Sequence, residues 1–196
     1  METKPQLKDL NLQKVKLEPK GGLQAVYQLT EVVKGEPTVT DYQVNVARDI
    51  HPDLQKLFKD LRSIVGRCIG LTSFLSMTDG NELGLTDAKK KIARAYADLL
   101  LAKIDVRGIS WSGQDENVGI VITSVYETPN GLKTCINTPR IKIAQTSFGF
   151  EEELEEIADA IKEEVYEFLF NGKQAQLSLF GEQQENENKE QESESD

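Results

Sequence analysis

The chain of 196 residues predicts an α+β fold: one antiparallel sheet of about six strands, built from two similar βββα halves, with helices packed on one face. Three observations carry that expectation. Short runs alternate apolar and polar residues with the two-residue period of strands, in two clusters of three. Each cluster leads into a segment whose apolar residues recur every three or four positions, the stripe of an amphipathic helix. The hairpin turns at 34–37 and 129–131, and the helix starts at Pro52 and Glu151, are offset by roughly the same length of chain. Neither half alone buries its sheet well, so a single shared sheet is the economical arrangement, with tandem copies in separate domains as the alternative.

The elements follow in order. Residues 1–10 are polar and read as a flexible arm. "LQKVKL" (12–17) alternates, which sets Leu12, Lys14 and Lys16 on one side and Gln13, Val15 and Leu17 on the other. "PKGG" makes a turn, "LQAVYQLTEVV" (23–33) a long strand, "KGEP" a second turn and "TVTDYQVNV" (38–46) a third strand. In "HPDLQKLFKDLRSIVGRCIG" Pro52 suits a first helical turn, with His51 as N-cap. Leu54, Leu57, Phe58, Leu61, Ile64, Val65 and Cys68 form its stripe. Residues 70–85 read as a loop, and Thr86 caps a helix near 87–103 with Ile92, Tyr96, Leu99 and Leu100 on one side. Strands are then expected at 104–112, 118–126 and 132–143, and a long helix at about 151–170, stopped by Gly172. The acids Glu151, Glu152 and Glu153 suit the positive end of that helix's dipole. The domain therefore spans 11–172, with a pseudo-repeat at 11–69 and 104–172, a helical insert at 70–103, and a separate tail at 173–196.

Charge is uneven. The net charge is −10, and the segment from Gly181 onward, with seven acids and only Lys189 as a base, supplies −6 of it. That low-complexity tail is expected to be disordered. The body has no bulk attraction for nucleic acid, so DNA binding would need a local basic face. Candidates are Lys14 and Lys16 on one strand face, Arg140 and Lys142 on another, and Lys89, Lys90, Lys91 and Arg94 at a helix start, where cations oppose the dipole. Trp111, near a loop, is the aromatic best placed to stack on a base. Plain solvated charge is the competing explanation for the cations, and core packing for the aromatics.

Catalytic chemistry finds no foothold. There is no phosphate-loop motif, and one histidine with two distant cysteines does not make a zinc site of His and Cys ligands. No cofactor or metal is expected, and the protein reads as a non-enzyme. Cys68 and Cys135 sit in apolar runs and are expected as reduced core thiols. The first twenty residues are charged and no apolar run nears the ~20 residues that cross a bilayer, so a cytosolic protein without membrane contact is expected. "HPD" (51–53) resembles the tripeptide of J-domain co-chaperones, but that family places it in a loop after a basic helix, and here a strand precedes it.

The stretch "KQAQLSLFGEQ" (173–183) stands between the last helix and the acidic tail. Exposed apolar residues there cost solubility unless something binds them. A short extended segment is a common device for capturing a groove on a partner. Gln176, Leu177, Ser178, Leu179 and Phe180 resemble the pentapeptide by which bacterial replication and repair proteins bind the sliding clamp of DNA polymerase III. All five positions match that family's preferred pattern, and chance produces such a match in a chain this long on the order of once in a thousand. The resemblance implies that Gln176 enters a small polar pocket while the leucines and Phe180 fill an apolar one. The alternative is that Leu177, Leu179 and Phe180 fold back on the sheet. The remainder of the chain is similar to small proteins of bacteriophages and mobile elements, through its hairpin, its "HPDL" helix start and its acidic last helix. Together these imply an accessory or inhibitor of DNA replication or recombination. A single-stranded DNA-binding protein with a regulatory acidic tail, and a phage structural or assembly protein, are the other readings.

Overall fold

The computed structural model describes residues 5–19, 21–33, 35–71, 86–114, 117–128, 130–145 and 148–173. Residues 176–180 lie outside the described residues, as does 72–85 of the expected loop. The fold is α+β, and the described residues form one sheet and three α-helices.

The strands are β1 (Leu10–Leu17), β2 (Leu23–Val33), β3 (Glu36–Val46), β4 (Ile104–Ser112), β5 (Gly119–Glu127), β6 (Lys133–Asn137) and β7 (Ile141–Lys142). Their order is β3-β2-β1-β4-β5-β6, with β7 also on β5, and every pairing is antiparallel. Two three-stranded meanders thus meet at β1 and β4. There Val15 lies opposite Ile109, both almost fully buried, and Lys16 lies opposite Gly108. A Cβ on Gly108 would stand 3.0 Å from the Val15 carbonyl oxygen, so the join is made where a side chain is missing.

The helices are α1 (Pro52–Cys68), α2 (Asp87–Leu101) and α3 (Glu151–Phe170). As expected, His51 caps α1, its Nδ1 accepting from the Asp53 backbone N–H at 3.3 Å, and Gly172 follows α3 with φ +73°. Apolar residues of α1 and α3, among them Leu61, Ile64, Ile161 and Val165, share one core with the inward side chains of β1, β2, β4 and β5. Among the described residues one sheet face is therefore covered and the other open. At the chain start, the Tyr166 hydroxyl donates to the Pro5 carbonyl at 2.6 Å, which ties the segment before β1 to α3.

Several expectations change in detail. The alternation in 12–17 is broken by a bulge between Leu12 and Lys14, which turns Leu12 inward along with Val15 and leaves Lys14 and Lys16 outside. The strand expected at 132–143 is interrupted. Pro139 has no N–H for the ladder, so the chain bulges there and β7 resumes pairing one residue out of register. Cys135 is exposed rather than in the core, because the pleat aims Ile136 at the helices and sets Cys135 opposite Val125 on the open face. Cys68 is half-buried, and burial pushes its thiol pKa up.

On α2, Ile92, Tyr96 and Leu99 are exposed, at 69%, 56% and 65%. The helix instead turns Ala97, with Ala93 and Leu100 beside it, inward, since small residues permit close approach. Burial therefore predicts opposite costs for two similar truncations. Ile109→Ala should lose about 2–5 kcal/mol of unfolding free energy in urea titrations. Ile92→Ala should stay within roughly 0.5 kcal/mol of the parent.

Candidate functional site

The sheet register assembles the open face. Asn45, Gln24, Lys16, Gly108, Thr123 and Asn137 lie in one row across six strands, and Gln43, Val26, Lys14, Ser110 and Val121 in the next. Two lysines thus stand at the centre of two rows that are otherwise uncharged, polar at Asn45, Gln24, Thr123, Asn137, Gln43 and Ser110 and apolar at Val26 and Val121. Lys16 is drawn to Glu18 at 3.6 Å. The aromatic residues Tyr27, Tyr42, Trp111 and Tyr126 pack on the core side instead. Among the described residues the open face therefore offers phosphate contacts but no stacking platform.

The other cations are not gathered there. Lys89, Lys90, Lys91 and Arg94 share α2, which lies against α1 on the helical side. Arg140 clasps the β4–β5 hairpin. Its Nε donates to Ser112 Oγ at 2.9 Å, and its Nη2 donates to the Ser112 carbonyl at 2.8 Å and to the Asn117 carbonyl. Gly113 and Gly119 leave room for it, for a Cβ on either would fall within 2.7 Å of the guanidinium. Lys142 pairs with Gly119 in β7 and is half-buried. Trp111 is half-buried against the core, with the Lys162 ammonium 5.9 Å from its ring centre. The nine residues named as a nucleic-acid surface are thus distributed over both faces.

At the root of the tail the structure builds a polar cluster that the residue pattern does not signal. Lys173 Nζ donates to Asp53 Oδ2 at 2.8 Å and to Glu164 Oε1 at 2.7 Å, joining the chain beyond α3 to the start of α1 and to α3 itself. His51 Nδ1 lies 3.1 Å from Asp53 Oδ2. His51, Asp53 and Glu164 bring ligand-type atoms within 4.8 Å of one another, the spacing of a metal-binding trio. The Lys173 ammonium sits between the two carboxylates and supplies the charge that an ion would bring. The arrangement can hold the base of the tail without chemistry of its own. Glu151 likewise serves the architecture, for its carboxylate accepts from the backbone N–H groups of Phe148 and Phe150 at 2.6 and 2.9 Å. Foremost the Phe148 bond holds its pKa below the usual carboxylate range.

A cleft of about 260 Å³ opens where the turn after β1, the first half of α1 and the start of β4 converge. Lys59, Arg62 and Arg107 border it, along with Glu18 and Asp105. Arg107 is the extra residue of a bulge in β4, a device that re-aims a side chain. No sequence pattern marks these three cations, because their meeting depends on how α1 crosses β4. No protein-family model matches the chain, and neither a curated protein nor a solved structure matches it. Among the described residues no helix is long and apolar enough to cross a membrane.

The cluster at the tail root has a defined pH window. The hydrogen bond from Lys173, above all, holds the Asp53 pKa below its ordinary value, and the bond to Asp53 raises that of Lys173. A depressed carboxylate stabilises the fold above its unfolded value near pH 4 and loses that contribution as pH falls through the folded value. A raised ammonium stabilises below about pH 10 and loses its contribution as pH rises through its folded value. The tether is thus complete between those limits. In Lys173→Ala the Asp53 carboxyl carbon should titrate closer to an ordinary aspartate by NMR, and amide exchange at Asn171 should quicken. An unchanged Asp53 titration would refute the tether.

Proposed function

We propose that the chain is a non-enzymatic accessory protein, or inhibitor, of phage or mobile-element DNA replication or recombination that docks on the bacterial sliding clamp through residues 176–180. The observation that carries this reading is the five-for-five match of Gln176, Leu177, Ser178, Leu179 and Phe180 to the clamp-binding pattern. One feature of the fold supports it. Lys173 is fixed between Asp53 and Glu164, which makes a rooted stem three residues before Gln176. Gln176, Leu177, Leu179 and Phe180 supply most of the binding energy, as a few anchors do in most interfaces. The two similar βββα halves belong to this proposal as its scaffold, and the strand order with its two meanders meeting at β1 and β4 supports them.

Titration calorimetry of the full chain with purified clamp tests it. The parent should bind, and Leu179→Ala/Phe180→Ala should weaken binding by at least about tenfold. Equal binding by parent and double variant would end the proposal.

A second reading rests on the open sheet face, where Lys14 and Lys16 project from the two central rows. There the chain would hold single-stranded DNA by its backbone, without base stacking. Two neutralised phosphates give a shallow dependence, a slope of about −1.4 in log affinity against log salt. Oligonucleotide binding that is unaltered in Lys14→Gln/Lys16→Gln would exclude this face.

A further inference from the structure

We infer that the cleft between α1 and β4 is a binding site for a phosphoryl group carried by a small molecule, with Arg62 as its principal anchor.

The argument starts from charge. Five ionisable residues border the cleft, and three of them are already engaged. Asp105 is paired with Arg107. Glu18 is drawn to Lys16 outside the cleft, at 3.6 Å. Lys59 and Arg62 form no ion pair with any described carboxylate. Lys59 and Arg62 both also border a second cleft that includes Asp60, Asp98 and Glu153, none of which forms an ion pair with either. Two positive charges without an ion-pair partner therefore border the cleft between α1 and β4, whose own acids, Glu18 and Asp105, are engaged with Lys16 and Arg107. A phosphate monoester carries about −1.5 to −2 at neutral pH and matches that charge, whereas a single carboxylate neutralises half of it.

Hydrogen bonding points the same way. Arg62 is half-buried, and its Nε is sealed from solvent with no acceptor among the described residues. Buried donors in folded proteins are nearly always satisfied, and because this one is sealed from the cleft as well, a ligand there would meet the terminal Nη groups of Arg62. A guanidinium offers donors in a planar fork that suits two oxygens of one phosphoryl group. The bulge at Arg107 brings a second guanidinium to the same rim, held in place by Asp105.

Size selects among phosphoryl compounds. A cleft of about 260 Å³ falls just below the range of roughly 300–1,000 Å³ common for ligand pockets. It takes a phosphoryl group with a small organic portion against Ile50, Phe58 and Val106, and it does not take the length of a nucleic-acid strand.

The experiment uses the full chain and two probes, inorganic phosphate and a nucleoside 5′-monophosphate, with sodium chloride at matched ionic strength as the reference. Melting temperature and amide shifts at Gly21, Ile50 and Gly108 are followed. Both probes should raise the melting temperature in a saturable way that chloride does not reproduce, with shifts confined to the cleft. Arg62→Gln should weaken binding by about tenfold or more, and Lys59→Gln, an exposed substitution that leaves the core untouched, by a few-fold. Tighter binding of the monophosphate assigns the apolar wall to the organic portion, and equal binding assigns recognition to the phosphoryl group alone. Two results overturn the inference: no response beyond the chloride reference up to about 20 mM probe, or responses in Lys59→Gln and Arg62→Gln that equal the parent's.

Discussion

The pairing of β1 with β4 is the constraint on which everything else rests. Each meander has an edge that would otherwise present unpaired N–H and C=O groups. Joining them buries Val15 against Ile109 at the centre and yields one surface broad enough for α1 and α3 to cover together. A three-stranded sheet under a single helix would bury far less. The close approach at Gly108 is part of the same constraint: a side chain there would push the Val15 backbone away and open the seam. Both helices then share one core with both meanders, a single body from Leu12 to Phe168 among the described residues.

Three bulges adapt that sheet to its surroundings. The one after Leu12 lets β1 turn both Leu12 and Val15 inward, a pattern that strict alternation forbids. The one at Arg107 lifts a cation out of the ladder toward the α1 cleft. The one around Pro139 ends β6 and restarts pairing as β7, which brings Arg140 over the hairpin at Ser112. In each case a departure from regular pairing places a particular side chain where a regular strand would not.

Electrostatics are divided by region. The acidity of the chain is concentrated in its last sixteen residues, and its cations are dispersed over the open face, α2 and the cleft. Where cations do meet anions they serve the architecture. Lys173 binds Asp53 and Glu164 at the tail root, and Arg67 binds Glu153 between α1 and α3. On α1, Lys59 and Arg62 have no described carboxylate partner, and the Arg62 Nε has no described acceptor. Both side chains border the cleft between α1 and β4.

Much of the architecture was legible in the residues. Periodicity located the strands and the three helices, Pro52 and His51 marked the start of α1, and Gly172 its counterpart after α3, because these signals act within one turn of chain. The resemblance of residues 176–180 is likewise a property of five consecutive side chains. Facing and partnership belonged to the tertiary structure. Whether Cys135 is inside, whether Ile92, Tyr96 and Leu99 touch the core, and whether Arg140 meets a ligand or a loop all depend on segments distant in the chain. The cleft at Arg62 depends on three such segments at once. Local sequence sets what each strand and helix can bury, and only their packing decides which polar groups are left to find a partner elsewhere.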